Sequence, residues 1–93
     1  MVYLVGDTIR LTAEFRDWDG VLKNPTEIKL KILDSKYNEL ESHDLGLSNN
    51  ESVGKYFFDY PASLIGDFIY EWEALADGTP NVYRSQFKVR MLV

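Results

Sequence analysis

The stretch DFIYEWEALA at residues 67–76 decides the fold of this chain. Apolar and polar side chains alternate along it, and one face carries Phe68, Tyr70, Trp72 and Ala74. Glu71 and Glu73 lie on the opposite face. Alternation with a period of two is typical of a strand with one buried and one solvated face. The stretch therefore predicts a β-strand with Trp72 in the core and Glu71 exposed, ended by the turn signal DGTP at 77–80.

The same alternation recurs before and after this stretch. Further strands are predicted at 8–16, 27–33, 39–45, 55–60 and 82–93. The polar segment 46–52 predicts a loop, and 62–65 predicts one helical turn that crosses between sheets. About seven short strands separated by turn signals indicate an all-β chain folded as an immunoglobulin-like antiparallel β-sandwich. Because no linker or low-complexity segment divides the chain, we expect residues 1–93 to form a single domain of this type.

Composition and charge argue against several classes of partner. Ten Lys and Arg residues against fifteen Asp and Glu residues give a formal net charge of −5. Nucleic-acid binding depends on clustered basic side chains, and an anionic membrane surface repels an acidic chain, so neither partner is expected. No apolar run approaches the roughly 20 residues of a membrane span. Residues 1–7 lack the basic region of a signal peptide, which predicts synthesis in the cytoplasm.

No arrangement of residues in the sequence predicts catalysis. The chain has one histidine, His43, within Ser42-His43-Asp44. Adjacent strand residues point to opposite faces, so these three cannot form a triad, and His43 is expected at the surface. Glu71 and Glu73 have a spacing that a glycosidase acid pair allows. Cross-strand ion pairs explain them better, with Glu73 opposite Arg84 or, in a shifted register, Glu71 opposite Lys88. We therefore expect no catalytic residue and no enzyme.

No metal or cofactor is predicted either. The chain has no cysteine, which excludes a disulfide and a thiolate metal site. The run DWDG at 17–20 resembles the start of a calcium loop, but Val21 and Ile28 occupy the fifth and twelfth positions, where that loop needs oxygen ligands. Turn formation, in which Asp side chains bind nearby amides, is the favoured interpretation. A weak calcium site between loops that includes Asp77 is the alternative.

Two apolar residues are candidate protein contacts. Trp18 lies in a predicted turn, where it is either an exposed interface anchor or a cover over the open end of the sandwich. The terminus Met91-Leu92-Val93 is apolar in both strand phases, so alternation takes Leu92 out of the core, beside an open strand edge that a second chain can pair with. Packing of Leu92 beside residues 2–4 is the alternative. These features predict a protein partner or self-association, and no small-molecule ligand is expected.

Short motifs with fixed spacing occur in both halves of the chain. They are VGDTIRL at 5–11, FxDxDG at 15–20, NPT at 24–26, KLKI at 29–32, GxY at 54–56, YP at 60–61 and GxFxYxW at 66–72. Together they resemble many small bacterial and bacteriophage immunoglobulin-like domains. The resemblance spans nearly the whole chain and implies the sandwich fold. It further implies a non-catalytic structural or assembly module, associated with a phage or prophage virion. The alternative is an adhesive module of a bacterial surface protein that binds carbohydrate or protein.

Overall fold

Two β-sheets make up the computed structural model, which describes residues 2–76 and 78–91 and, of Thr79, the backbone. The strands are β1 (Val2–Leu4), β2 (Thr8–Glu14), β3 (Glu27–Asp34), β4 (Glu39–Leu45), β5 (Asn50–Ser52), β6 (Lys55–Pro61), β7 (Gly66–Ala76) and β8 (Thr79–Arg90). One sheet has the order β1-β8-β7-β3-β4 and the other β2-β6-β5. The predicted all-β sandwich is confirmed. Within the described part of the chain, no helix has the length and apolar character needed to cross a membrane.

The core lies between the two sheets and is built by the predicted alternation. On β2, Ile9, Leu11 and Ala13 are buried while their neighbours are exposed. Trp72 of β7 is fully buried, and its ring lies 6.0 Å from that of Phe15, close to edge-on. The inward-facing residues of both sheets form one hydrophobic cluster, as expected where two sheets pack face to face. The prediction that Trp72 is a core residue is confirmed.

The β7–β8 hairpin has a different register from either of the two predicted. Pairing begins at Ala76 with Thr79, so Thr79 and Pro80 belong to β8. Glu71 therefore lies opposite Arg84, and Glu73 lies opposite Val82. The prediction was wrong because it placed Thr79 and Pro80 in the turn.

Three further elements differ from the sequence predictions. Val2–Leu4 forms a strand that pairs parallel with Lys88–Arg90, so the sandwich is not wholly antiparallel. Asn50–Ser52 is a strand rather than loop, and Leu47–Asn49 before it is a 3-10 turn. No helical turn forms at 62–65, because the Ala62 amide donates to the Asp7 carbonyl and the Ala62 carbonyl accepts from Gly6. These contacts fix the backbone of Ala62 against residues 6 and 7.

Candidate functional site

A polar pair lies on the inner face of the edge strand β4. Glu41 is paired with Ile32 and His43 with Leu30, and both partners are fully buried core residues of β3. Because directly opposed residues of neighbouring strands share a face, the Glu41 and His43 side chains point towards the smaller sheet. Both are half-buried, whereas Ser42 between them is exposed. Two positions on the inner face of this edge strand, where apolar side chains are usual, are thus occupied by a carboxylate and an imidazole.

The two side chains contact each other directly. Nε2 of His43 lies 2.9 Å from Oε1 of Glu41, and the exposed fractions of the side chains are 31% and 41%. The imidazole ring also packs against the ring of Phe58 on β6, with 4.5 Å between ring centroids and 31° between planes. Phe58 therefore limits the tilt of the imidazole from the opposite sheet. Phe58 thus contacts His43 from the interior of the sandwich. The other side of the Glu41–His43 pair remains open to solvent along the sheet edge.

Tyr60 reaches the same pair from the smaller sheet. The residue is 2% exposed. Burial raises the pKa of the Tyr60 hydroxyl, and interaction with Glu41 raises the pKa further. The hydroxyl is therefore protonated at neutral pH. We refer to Glu41, His43 and Tyr60 together as the edge cluster.

The edge cluster offers an imidazole nitrogen and a carboxylate oxygen at a spacing that suits metal coordination. Two metal–ligand bonds of about 2.0–2.1 Å place their donor atoms about 2.9 Å apart at a right angle and about 3.4 Å apart at the tetrahedral angle. The observed 2.9 Å is the length of a hydrogen bond between imidazole and carboxylate, and it equals the donor separation at a right angle. Among the residues that the structure describes, no group of three or more His, Cys, Asp or Glu side chains has metal-binding spacing. Two protein donors thus fit a site in which water completes the coordination of the ion. They do not fit a site in which the protein supplies every ligand.

Sequence reasoning missed this pair although a signal was present. It tested His43 with its immediate neighbours Ser42 and Asp44, which lie on the other face of β4. On a predicted strand, residues two apart share a face, so Glu41-x-His43 was the informative spacing. The contributions of Phe58 and Tyr60 come from the opposite sheet and are invisible to local patterns.

The structure describes one of the two predicted protein-contact residues. Trp18 is 83% exposed in the turn that follows β2, so it does not fold over the end of the sandwich. That alternative is therefore wrong, and whether Trp18 contacts a protein stays a prediction. Leu92 lies outside the described residues.

Asp17 has the role in the turn that was predicted for it. Its Oδ1 accepts hydrogen bonds from the amides of Asp19 and Val21, at 2.9 and 3.1 Å. Its other carboxylate oxygen lies 4.0 Å from Nζ of Lys23. These contacts explain why aspartate occupies position 17 without invoking an ion. Asp77, the third residue of the alternative calcium site, lies outside the described residues.

Glu71 is buried, which contradicts the expectation that it is exposed. It lies on the outer face of the larger sheet but is only 7% exposed, because Arg84 binds it and the Tyr37 ring lies 5.5 Å from the Arg84 guanidinium. Glu73 instead lies 3.4 Å from Nζ of Lys31. The interpretation of the two glutamates as partners of cross-strand cations is confirmed, although the individual pairings differ. Alternation assigns a face to each residue and does not reveal what covers that face.

Comparison with known proteins supports the fold. No protein-family model matches the sequence, and no curated protein matches it. The structure is similar to the crystal structure of CopC from Methylosinus trichosporium OB3b, with a TM-score of 0.67 and 19% sequence identity. The match covers 96% of this chain and 83% of that chain. At this level of identity the likeness shows a shared β-sandwich.

The comparison overturns the functional predictions made from the sequence. CopC is a copper-binding protein, so the prediction of a phage or prophage assembly module is wrong and the adhesive alternative has no support. The same finding contradicts the expectation of no small ligand, and no finding supports a protein partner. The resemblance misled because its motifs are strand and turn residues, which specify a sandwich, and one sandwich fold hosts many functions. What stands is the β-sandwich itself.

Proposed function

We propose that this domain is a non-catalytic binding protein for a divalent transition-metal ion, with Glu41 and His43 as its protein ligands. The observation that carries the proposal is the 2.9 Å separation of Nε2 and Oε1 at a solvent-accessible edge. The copper-binding character of CopC, a protein of similar fold, supports a metal ion as the ligand. Imidazole and carboxylate are both established ligands of such ions.

The chemistry of the donors favours Cu(II). For a site of nitrogen and oxygen donors, affinity among divalent first-row ions rises to copper and falls again at zinc. The chain has no cysteine, and the ligands assigned here are a nitrogen and an oxygen donor. Two protein donors leave the remaining positions to water, which predicts modest affinity and ready exchange. His43 must bind in its neutral form, so protons compete with the ion.

The surroundings of the pair support binding without catalysis. Ser42, the hydroxyl residue nearest in sequence, points to the opposite, exposed face of β4. The Tyr60 hydroxyl is held protonated by burial and by Glu41, which makes it a poor nucleophile. The edge cluster therefore has the groups to hold an ion and no activated nucleophile beside them.

A calorimetric titration with Cu(II) tests the proposal. We expect the parent to bind one ion per chain through His43, and His43→Gln to weaken that binding at least about tenfold. Glu41→Gln should weaken binding as well, and Glu39→Gln is its matched control, because Glu39 is an exposed carboxylate on the same strand and its substitution removes the same charge. Equal affinity in the parent and His43→Gln would contradict the proposal, as would an equal loss in Glu39→Gln.

A further inference from the structure

We infer that Phe58 is a positioning residue, whose ring holds the His43 imidazole in the orientation from which it binds the ion. The inference rests on the proposed function and deepens it. Phe58 itself offers no donor atom to a metal. It acts through His43, whose ring it contacts from the opposite sheet.

Phe58 is itself fixed by its place in the smaller sheet. It lies on β6, the central strand, and pairs with Leu11 of β2, a buried core residue. The carbonyl oxygen of the preceding residue, Phe57, accepts a hydrogen bond from Nδ2 of Asn49 at 3.0 Å. The Phe58 side chain packs against the hydrophobic cluster between the sheets. Strand pairing and packing thus set the position of its ring.

The geometry of the two rings suits this role. Their centroids are 4.5 Å apart and their planes differ by 31°, so one face of the His43 imidazole lies against the face of the Phe58 ring. An imidazole binds a metal through a nitrogen lone pair that lies in the plane of the ring. Face contact therefore restricts the direction of that lone pair without covering it.

Phe58 also supplies a contact that does not compete with the ion. Nε2 of His43 forms a hydrogen bond of 2.9 Å with Oε1 of Glu41. An ion bound at Nε2 takes the place of the proton that the two atoms share, so that hydrogen bond is lost on binding. The His43 side chain is 31% exposed on an edge strand, where loss of rotamer freedom opposes ordering. The Phe58 ring removes part of that freedom both before and after an ion arrives.

Phe57 provides a matched control on the same strand. It is half-buried like Phe58 but pairs with the exposed residue Thr12, and its ring centroid lies 4.2 Å from the Arg10 guanidinium. Phe58→Leu and Phe57→Leu therefore make the same change at neighbouring positions on opposite faces of β6. Only the first removes the ring that contacts His43. Phe58→Tyr keeps that ring and tests for rescue.

The test is a Cu(II) titration of the parent, Phe58→Leu, Phe57→Leu and Phe58→Tyr, with the nitrogen hyperfine spectrum of each copper complex. We expect Phe58→Leu to bind at least about threefold more weakly, since aromatic pairs of this kind contribute about two- to tenfold. Its imidazole signal should broaden because the ring orientation varies. Phe57→Leu and Phe58→Tyr should match the parent in both readouts. Parent-like binding by Phe58→Leu, or equal weakening in either of the other two variants, would overturn the inference.

Phe58→Met is a second variant that covers the case in which Phe58→Leu folds poorly. Methionine also lacks a flat ring, and its flexible side chain fills irregular spaces in a core. It should show the same weaker binding and the same broadened imidazole signal. Binding and a spectrum equal to those of the parent would overturn the inference as they would for Phe58→Leu.

A double-mutant cycle of Phe58→Leu and His43→Gln tests the ring contact without any metal. Measured by urea denaturation, the double variant should lose less stability than the two single losses added together. Strict additivity would show that the rings do not interact and would overturn the inference. The proposed function is decided separately by the copper titration of His43→Gln. If that variant loses binding and Phe58→Leu does not, only the positioning role fails.

Discussion

Glu71 of β7 accepts two hydrogen bonds from Arg84 of β8, both to the same carboxylate oxygen. The two residues lie directly opposite each other in the hairpin, and the distance from Nε to Oε2 is 2.7 Å. The Glu71 side chain is buried on the outer face of the sheet, whereas that of Arg84 is about half exposed. A carboxylate in this position depends on its cation, because a buried charge without a partner is strongly unfavourable.

Glu71→Ala should therefore destabilise the protein by about 1–3 kcal/mol, the range for loss of a hydrogen-bonded buried charge whose partner can return to water. Glu73→Ala is the comparison, because Glu73 is 39% exposed beside Lys31 and such pairs contribute about 0–1 kcal/mol. Urea denaturation of both variants measures the difference. Equal shifts of the midpoint would show that the burial of Glu71 has no energetic consequence.

The contribution of Glu71 should depend on pH with a definite sign. The neighbouring Glu73 carboxyl, through a hydrogen bond, and the bonds and charge of Arg84 lower the pKa of Glu71, against the opposing effect of burial. A lowered pKa means that the stabilisation is complete above the pKa of the unfolded chain, about 4.3, and is lost as pH falls through the folded value.

The stability difference between the parent and Glu71→Gln should thus be constant from pH 6 to 8 and shrink below about pH 4. Other carboxylates with lowered pKa, Asp34 beside the Asn38 amide and Asp59 beside Arg10, are present in both proteins and cancel. Denaturation curves across this range measure the difference. A difference that stays constant, or grows, as the solution becomes more acidic would contradict the assignment.

Two substitutions of Trp72 should separate the energy of core packing from the cost of burying an indole N–H without a hydrogen-bond partner. The residue is fully buried, and among the described residues its Nε1 has no hydrogen-bond partner. Trp72→Ala should cost about 3–5 kcal/mol because it leaves a large cavity. Trp72→Phe keeps an aromatic ring and removes the unsatisfied donor, so its cost should be smaller by about 2 kcal/mol or more. Similar losses in the two variants, measured by chemical denaturation, would contradict this account.

Gly54 should tolerate substitution less well than Gly20. Both have a positive φ, 75° and 79°, that disfavours a side chain. A Cβ on Gly54 would lie 2.9 Å from the Phe15 carbonyl oxygen and 3.0 Å from the Lys23 amide nitrogen, whereas one on Gly20 meets nothing within 4 Å. Gly20→Ala should cost about 1–2 kcal/mol from backbone strain, and Gly54→Ala at least about 1 kcal/mol more. Equal melting temperatures of the two variants would show that the backbone of Phe15 and Lys23 does not restrict a side chain at position 54.

Strand periodicity predicted most of the fold. Alternation along 67–76 placed Trp72 in the core correctly, since burial of one face is a local property of a strand. It failed for Glu71, whose burial depends on Arg84 and Tyr37 from two other parts of the chain. It also missed the strands at Val2–Leu4 and Asn50–Ser52, which are too short to show a period.

Only part of the edge cluster was within the reach of local patterns. Its two candidate ligands are on one strand and two residues apart, and this spacing is readable from the sequence. The contact of His43 with Phe58 exists only because the two sheets pack face to face. Function was harder still, since the motifs that specify the sandwich are not those that would bind a ligand.

The most direct test of the proposed metal site is the nitrogen hyperfine spectrum of bound Cu(II). His43 is the only histidine in the chain, so the account predicts the signal of a single imidazole in the parent and none in His43→Gln. Glu39→Gln should keep that signal. An imidazole signal absent from the copper complex of the parent would contradict the assignment of the site to Glu41 and His43.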